Sequence, residues 1–376
     1  MANNISIVNL VATQNTLYSS TAIFSNIFII SLGHSNIGAG EIQTIYNDES
    51  YIKNIYELTG EVKNMIDTFF AYSSAKPVKL VELGAVTEED TLDKKVGVLK
   101  SKLTNGELIG MFYCMPKEFL SNNAFVQLAT AFNITNSMTT FFIQIPKDLD
   151  VITDTNIPKF KGLKSMCLVY EQFELENIHA LGVMAGVYMN YYSNINSTNK
   201  LSPFSYKFIN HQVRDLTRSE ISAFTSNNII FFANVISKPC FMNAKTQDSN
   251  RLEYWIAYLN VSLRLVDALT SQLINSANSK TGGAIRYNEL GILGLKSLIE
   301  SQLQTAQDLF LITEFGSSYS TDDQAVENIG SISYTPFQTY IKDNPKDYQD
   351  GIYNGFKTVI RITQFIFELN VYVELV

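Results

Sequence analysis

The sequence predicts a mixed α/β fold in two domains, with β-strands at both ends of the chain. The chain has 376 residues, which is enough for two domains or one large one. Through its middle, apolar strand-like runs alternate with stripes at helical spacing, as in proteins that layer helices on sheets. Its last residues alternate apolar and polar side chains, which is the pattern of a half-buried strand.

The first half of the chain supplies most of this alternation. Buried strands are predicted at residues 22–32, 78–83, 107–115, 138–145 and 165–170. Helices are predicted at residues 61–72, 116–131 and 178–192, and Pro116 suits the first turn of the second one. A turn or short helix is predicted at residues 87–95.

The second half begins after a linker of Asn, Ser and Pro residues at 193–205. Thr217 and Glu220 have the spacing of a capping box, so a short helix should start there. Strands follow at residues 228–236 and 329–335, and long helices at 251–276 and 290–310. The predicted divisions are an N-terminal strand arm (1–20), an outer α/β domain (21–200), an inner domain (201–358) and a C-terminal strand arm (359–376).

The C-terminal run has one continuous apolar face. Its alternate positions are Phe365, Phe367, Leu369, Val371, Val373 and Leu375. A second β-prone run near the N-terminus contains Ile5, Ile7 and Leu10. The C-terminal run could be a strand of the protein's own sheet, or a strand donated to a neighbouring copy, because an unpaired strand at a free end readily pairs with another chain.

Composition favours a folded protein that buries much of its surface in partners. Hydrophobic residues make up 46%, aromatic residues 12% and charged residues 17% of the chain. The net charge of −8 does not favour nucleic-acid binding. The start of the sequence lacks the pattern of a signal peptide, and no apolar run is long enough to enter a membrane, so we expect a protein that stays in the cytoplasm where it is made.

The sequence contains no convincing pattern for catalysis, a metal or a cofactor. His34, His179 and His211 are isolated, and Glu176 is a weak partner for His179. Three distant cysteines, Cys114, Cys167 and Cys240, have apolar neighbours and indicate buried free thiols. Gly33, Gly38 and Gly40 fit a turn better than a phosphate loop. Gly182 and Gly186 indicate a helix that packs closely on a sheet. We therefore expect no enzyme activity and no cofactor.

Several segments, taken in order, resemble the sheath proteins of contractile phage tails, in particular a compact phage subgroup. The most specific stretch has a helix ending in Phe69-Phe70, then Pro77, and a short strand that closes on Gly84. Further similarity lies in the small-residue helix from Ala180 to Gly186, in the Leu216-Thr217 helix start with Glu220, and in the segments that open at Arg251 and Asn288. The sequence differs from larger sheaths because it lacks a Gly-rich region between residues 235 and 251 and lacks large insertions.

This resemblance implies a structural subunit that polymerises into a helical cylinder around a tail tube and contracts to drive the tube through the host envelope. Both terminal strands would then join sheets of neighbouring subunits. The implied partners are further copies of the chain, the tube protein, and the baseplate and tail terminator proteins, all within the virion tail. Lys296, on the helix at 290–310, is the predicted tube contact.

Two alternatives to the sheath role stay open. The chain could be another phage tail component, such as a baseplate or terminator protein built on strand exchange. It could also be an α/β enzyme with a site that its sequence does not reveal.

Overall fold

One large sheet organises the first two thirds of the chain. The structure, a computed structural model, describes residues 20–48, 57–134, 139–151, 153–278, 285–320 and 325–366. The strands of this sheet are β1 (Ile27–Ser31), β2 (Ile42–Ile45), β3 (Val78–Glu82), β4 (Phe112–Met115), β5 (Thr140–Ile145), β6 (Met166–Tyr170), β7 (Ile229–Val235) and β8 (Lys238–Met242). They lie in the order β2-β3-β1-β4-β5-β6-β7-β8.

The six inner strands of this sheet are parallel, and the two edge strands are antiparallel to their neighbours. Strands β1, β5 and β6 are buried along their whole length. They read as continuous apolar runs because helices cover both faces of a parallel sheet. The predicted mixed α/β class is therefore confirmed.

Helices cover both faces of the sheet. They are α1 (Ser20–Ser25), α2 (Gly60–Tyr72), α3 (Leu92–Thr104), α4 (Asn123–Ile134), α5 (Ala180–Tyr191) and α6 (Arg218–Ser226). Apolar residues of α3, α4 and α6 form one core cluster with the sheet. Helices α2 and α5 pack on each other and on the strands β1 and β4 to β6, outside that cluster, so they cover the opposite face.

Gly182 and Gly186 explain how α2 and α5 approach so closely. A Cβ atom on Gly182 would lie 2.5 Å from the carbonyl oxygen of Met65, and one on Gly186 would lie 2.5 Å from Cβ of Tyr72. The predicted close packing is present, but its partner is helix α2 and not the sheet. Glycine is required because any side chain would push the two backbones apart.

Some predicted elements are wrong in type or extent. The predicted strand at 22–32 begins as helix α1, and only its second half is strand β1. Residues 107–115 form a strand only at Phe112–Met115. The helix predicted from Pro116 is a 3₁₀ turn at Lys117–Ser121 followed by α4. Apolar runs of this length fit a buried helix as well as a buried strand, so periodicity could not separate them.

A second group of elements follows the sheet. It contains the helices α7 (Leu252–Ala277), α8 (Glu289–Asp308), α9 (Phe337–Asp343) and α10 (Pro345–Gln349). Its strands are β9 (Ile312–Gly316), β10 (Ser318–Tyr319), β11 (Val326–Glu327), β12 (Ser333–Tyr334), β13 (Phe356–Lys357) and β14 (Val359–Ile362). They pair antiparallel as β10 with β11, β12 with β13, and β14 with β9.

The chain forms two compact units that do not divide at residue 200. The larger unit contains Thr21–Ile195 and Pro203–Glu253 and therefore the whole sheet. The smaller unit contains Asn196–Ser202 and the described residues from Tyr254 onward. The sequence predicts residues 203–253 as part of the inner domain, yet they supply the last two strands of the large sheet. The outer and inner roles of the two units stay predictions.

Candidate assembly surface

The predicted C-terminal arm starts with strand β14, which forms a short antiparallel ribbon in the smaller unit. Strand β14 pairs with β9 in the register Val359 with Gly316, Ile360 with Phe315, and Arg361 with Glu314. An ion pair of 3.0 Å between Nη1 of Arg361 and Oε1 of Glu314 ties the two strands together. The register then shifts by a bulge after Arg361, and such bulges re-aim the end of a strand.

One edge of this ribbon is open among the described residues. On its far side, β9 is partly covered, because the carbonyl oxygen of Phe315 accepts a hydrogen bond of 3.0 Å from the backbone N–H of Gly330. Strand β14 pairs with β9 alone in the described part of the chain. An edge strand of this kind presents backbone N–H and C=O groups that can pair with another strand.

The last described residues connect the ribbon to the rest of the predicted arm. Ile362 is buried, and the backbone N–H of Thr363 still bonds to the carbonyl oxygen of Leu311 at 3.2 Å. Phe365 is half-buried, and Ile366 is 84% exposed. The remaining predicted arm residues Phe367, Leu369, Val371, Val373 and Leu375, and the N-terminal Ile5, Ile7 and Leu10, lie outside the described residues.

Helix α8 accepts hydrogen bonds from the segment that leads to this ribbon. Oε1 of Glu300 accepts a hydrogen bond of 2.5 Å from Nζ of Lys296 and one of 2.9 Å from the backbone N–H of Ile332. Burial by itself would raise the pKa of the Glu300 carboxyl. The bonds from Lys296 and Ile332 act in the opposite direction, and the net pKa is below the usual value. Glu289, at the first turn, accepts a bond of 2.7 Å from the backbone N–H of Phe337.

Lys296 therefore has a structural partner within its own helix. Its side chain is 18% exposed and that of Glu300 is 22% exposed. Nζ of Lys296 also lies 3.4 Å from Oγ of Ser331. The predicted tube contact at Lys296 stays a prediction, and its ammonium group would have to serve both this network and a partner.

The candidates for chemistry are occupied by structural contacts. Nε2 of His179 lies 2.9 Å from Oε1 of Glu61, and its Nδ1 accepts from the backbone N–H of Leu181 at 3.2 Å, so the ring caps helix α5. Burial raises the pKa of Glu61, but the bond to His179 and nearby cations bring it below its usual value. The three cysteines are buried free thiols, as predicted.

The glycine turn after β1 is organised by a residue that sequence reasoning missed. The buried carboxylate of Glu82 accepts hydrogen bonds from the hydroxyls of Ser31 (2.6 Å) and Ser35 (2.8 Å). It also accepts 2.7 Å bonds from the backbone N–H groups of Gly33 and Gly84. The turn therefore binds a carboxylate of its own chain. The one sign of this contact in the sequence is a Glu inside an apolar strand.

The described residues contain neither a metal-binding cluster nor a helix that could span a membrane. Among them, no cluster of three or more His, Cys, Asp or Glu side chains could hold a metal ion. No helix in the same ranges has the length and hydropathy needed to cross a bilayer.

Comparisons with known proteins identify the fold. No protein-family model matches the sequence, and no curated protein matches it either. A chain of the anti-feeding prophage baseplate matches with a TM-score of 0.61 and 9% identity over 96% of both chains. A chain of the contracted helical sheath of the same particle matches with a TM-score of 0.60 and 10% identity over 96% of both chains.

A crystal structure extends the same likeness to a second source. The sheath tail protein from Desulfitobacterium hafniense matches with a TM-score of 0.51 and 11% identity, over 80% of this chain and 90% of that one. The chain therefore has the fold of contractile tail sheath proteins.

Proposed function

We propose that this chain is the structural subunit of a contractile phage tail sheath. In this role it polymerises into a helical cylinder around the tail tube and contracts to drive the tube through the host envelope. The observation that carries the proposal is the likeness to a chain of a helical sheath along 96% of both chains. The proposed partners are further copies of the chain, the tube protein, and the baseplate and terminator proteins.

The open edge of β14 and the alternating C-terminal run support linkage through strands. A strand donated to a neighbouring copy would add a row of backbone hydrogen bonds, each contributing about 0.5–1.5 kcal/mol net. Several such bonds per arm would hold subunits together while softer polar contacts between them exchange during contraction. The energy would be stored in a metastable assembled state, so the protein would need neither a nucleotide nor a metal.

Deleting residues 365–376 tests this proposal. We expect the untagged full chain at high concentration to form hollow striated cylinders or stacked rings in negative-stain electron microscopy. The truncated chain should stay a soluble monomer, because the donated strand is gone. Since the tube could be needed as a template, both chains are also assembled in the presence of the tube protein.

A matched pair of variants separates the loss of the arm's apolar face from the loss of its charge. Replacing Phe367, Leu369 and Val371 by Ser should abolish cylinders, because their apolar face is removed. Replacing Glu368 and Glu374 by Gln should leave cylinders intact, because the alternating sequence pattern predicts that those side chains lie on the polar face. Cylinders of normal length from the truncated chain would contradict the proposal.

A baseplate component is the second candidate. It is favoured by the likeness to a chain of the anti-feeding prophage baseplate, with a TM-score of 0.61. The two roles differ in the assembly that the purified chain forms. A helical cylinder wide enough to enclose a tube indicates the sheath, whereas closed rings that never elongate indicate the baseplate.

An enzyme stays the least favoured candidate. The buried His179 and Glu82 and the partly buried Glu61 are used in structural contacts. A thermal-shift screen against nucleotides and metal ions tests the alternative, because a ligand that binds only the folded chain stabilises it by an amount that grows with the logarithm of its concentration over its dissociation constant. A melting temperature that rises with the concentration of one ligand and not with its close analogues would favour the enzyme.

A further inference from the structure

Two ends of one segment of the larger unit lie beside each other, and a buried carboxyl group joins them. The chain re-enters this unit at Pro203 and leaves it after Glu253. Oε2 of Glu253 accepts a hydrogen bond of 3.4 Å from the backbone N–H of Phe204, which is the second residue of the segment. This bond therefore joins the first turn of helix α7 to the point where the chain re-enters the unit.

A second contact joins the same two ends. Nη1 of Arg251, just before α7, donates a hydrogen bond of 3.3 Å to Oγ of Ser205. The same hydroxyl oxygen accepts a bond of 3.0 Å from the backbone N–H of Ala244. We define the exit clasp as the contacts of Phe204 and Ser205 with Glu253 and Arg251.

The clasp satisfies the Glu253 carboxyl poorly. The residue is 1% exposed, and Oε1 has no hydrogen-bond partner in the described residues. The bond that Oε2 accepts is longer than the about 2.7–2.9 Å that is usual for an ionised acceptor. An ionised carboxylate held in this way loses its hydration without regaining hydrogen bonds, whereas the neutral acid loses much less. The geometry therefore favours the protonated carboxyl when the clasp is closed.

The groups around the clasp do not remove this cost. Arg251 supplies the positive charge that acts on the carboxyl, and Lys245 forms a backbone bridge with Arg251 from the neighbouring segment. Tyr192, at the end of α5, contributes its ring, which stacks on that of Phe204 with centroids 5.1 Å apart. Burial outweighs the charge of Arg251 and the backbone donors, and it raises the pKa of Glu253 to about 7.

We propose that Glu253 is a proton-controlled latch, whose neutral carboxyl keeps the exit clasp closed and whose ionisation opens the clasp locally while the large sheet stays folded. Opening admits water to the carboxylate, and the proton goes to solvent. The closed form holds this proton up to about pH 7, whereas a hydrated Glu releases it near 4.5. The stability of the closed clasp therefore falls as pH rises through that window and is constant above it. This inference is independent of the assembly proposed above.

Hydrogen exchange of the full chain, followed by mass spectrometry from pH 5 to pH 8.5, tests the latch. Protection factors are corrected for the intrinsic exchange rate at each pH. At the amide of Phe204, we expect protection to fall about tenfold per pH unit up to pH 7 and then to level off. At pH 8.5 it should be at least about 100-fold below that of strand β5, which exchanges only when the unit unfolds. Equal protection at Phe204 and in β5 would overturn the local opening.

Two variants assign the effect to this carboxyl. Glu253→Gln keeps the shape of the side chain and cannot ionise, so protection at Phe204 should no longer depend on pH. Glu88→Gln removes a charge from an exposed loop and should behave as the wild type. A pH dependence that persists in Glu253→Gln would overturn the role of Glu253.

A measurement on the wild type alone keeps the proposal testable if Glu253→Gln fails to fold. Urea below the unfolding transition promotes openings in proportion to the surface that they expose. At pH 8.5 it should therefore speed exchange in β5 and leave exchange at Phe204 nearly unchanged. Equal acceleration of both would show that the clasp opens only when the whole unit unfolds, and the latch would be excluded.

Discussion

Glu253 shows what burial does to a single carboxyl group. Its side chain lies at the start of helix α7 and is 1% exposed. Oε2 accepts a long hydrogen bond of 3.4 Å from the backbone N–H of Phe204, while Oε1 has no partner in the described residues. Burial raises the pKa of this carboxyl to about 7, although backbone donors and the charge of Arg251 oppose the change.

Replacing Glu253 by Gln should stabilise the protein at alkaline pH. The folded state holds the Glu253 proton up to about pH 7, whereas the unfolded chain releases it near 4.5. The folded state therefore binds more protons between these values, and its stability falls as pH rises through that window. A shift of this size corresponds to about 3 kcal/mol, which Gln would recover because it carries no charge to desolvate.

Urea unfolding of both proteins at pH 5 and pH 8.5 measures this effect. The two free energies of unfolding should be similar at pH 5 and should differ at pH 8.5 in favour of the variant. Glu88→Gln, an exposed control, should follow the wild type at both values. Parallel curves for wild type and Glu253→Gln would show that Glu253 ionises normally.

At the scale of elements, the β7–β8 hairpin carries the clearest departure from standard turn chemistry. Two-residue hairpin turns with positive φ at both positions favour Asn-Gly, yet this turn is Ile236-Ser237. Ile236 is 93% exposed, so burial does not compensate for its strained backbone. Strain and exposure together make this turn a good place to gain stability.

Changing Ile236-Ser237 to Asn-Gly should raise the free energy of unfolding by about 1–2 kcal/mol, because left-handed backbone costs an ordinary side chain roughly that much. The measurement is the urea midpoint at constant m-value. Ile236→Val is the matched control and should change little, since valine has the same strain. A double variant no more stable than the wild type would mean that the turn relaxes without strain.

The elements that the sequence predicted well are those with an unmistakable local signal. Helix α7 and helix α8 have long apolar stripes, and the capping box of Thr217 and Glu220 is present at α6. Strand β8 was missed because Pro239 argues against a strand, and proline is tolerated there since β8 lies at a sheet edge. Strand β2 was missed because its side chains are mostly half-buried.

The candidate sites were less predictable than the elements. Residues from the segments 174, 209–215 and 234–239 line one depression of the larger unit, and only the order of strands brings these segments together. The ion pair of Lys296 with Glu300 has i, i+4 spacing and could have been predicted from the helical sequence. The hydrogen bond of Glu300 with the backbone of Ile332 depends on tertiary packing and could not have been predicted from the sequence.

At the scale of the whole molecule, the larger unit should fold alone. A fragment of residues 21–253, with a Gly-Ser linker in place of 196–202, retains every strand of the large sheet and the helices on both faces. It should unfold in one cooperative transition, because a unit with its own core is a folding unit. Calorimetry and circular dichroism should give the same midpoint.

A shorter fragment is the control for that experiment. Residues 21–226 lack β7 and β8, so strand β6 would have an exposed, apolar edge. This fragment should aggregate or unfold without cooperativity. If the 21–253 fragment behaves in the same way, the larger unit depends on the rest of the chain.

The chain order of the sheet has a consequence for synthesis on the ribosome. Strands β4 to β8 lie side by side in the order in which they are translated, so each new strand can dock on an edge that already exists. Residues 196–202 must wait, because the backbone N–H of Leu201 bonds to the carbonyl oxygen of Leu309. At about 5–20 residues per second, Leu201, the one apolar residue of this polar segment, waits roughly 5–20 seconds for the chain that buries it to be synthesised.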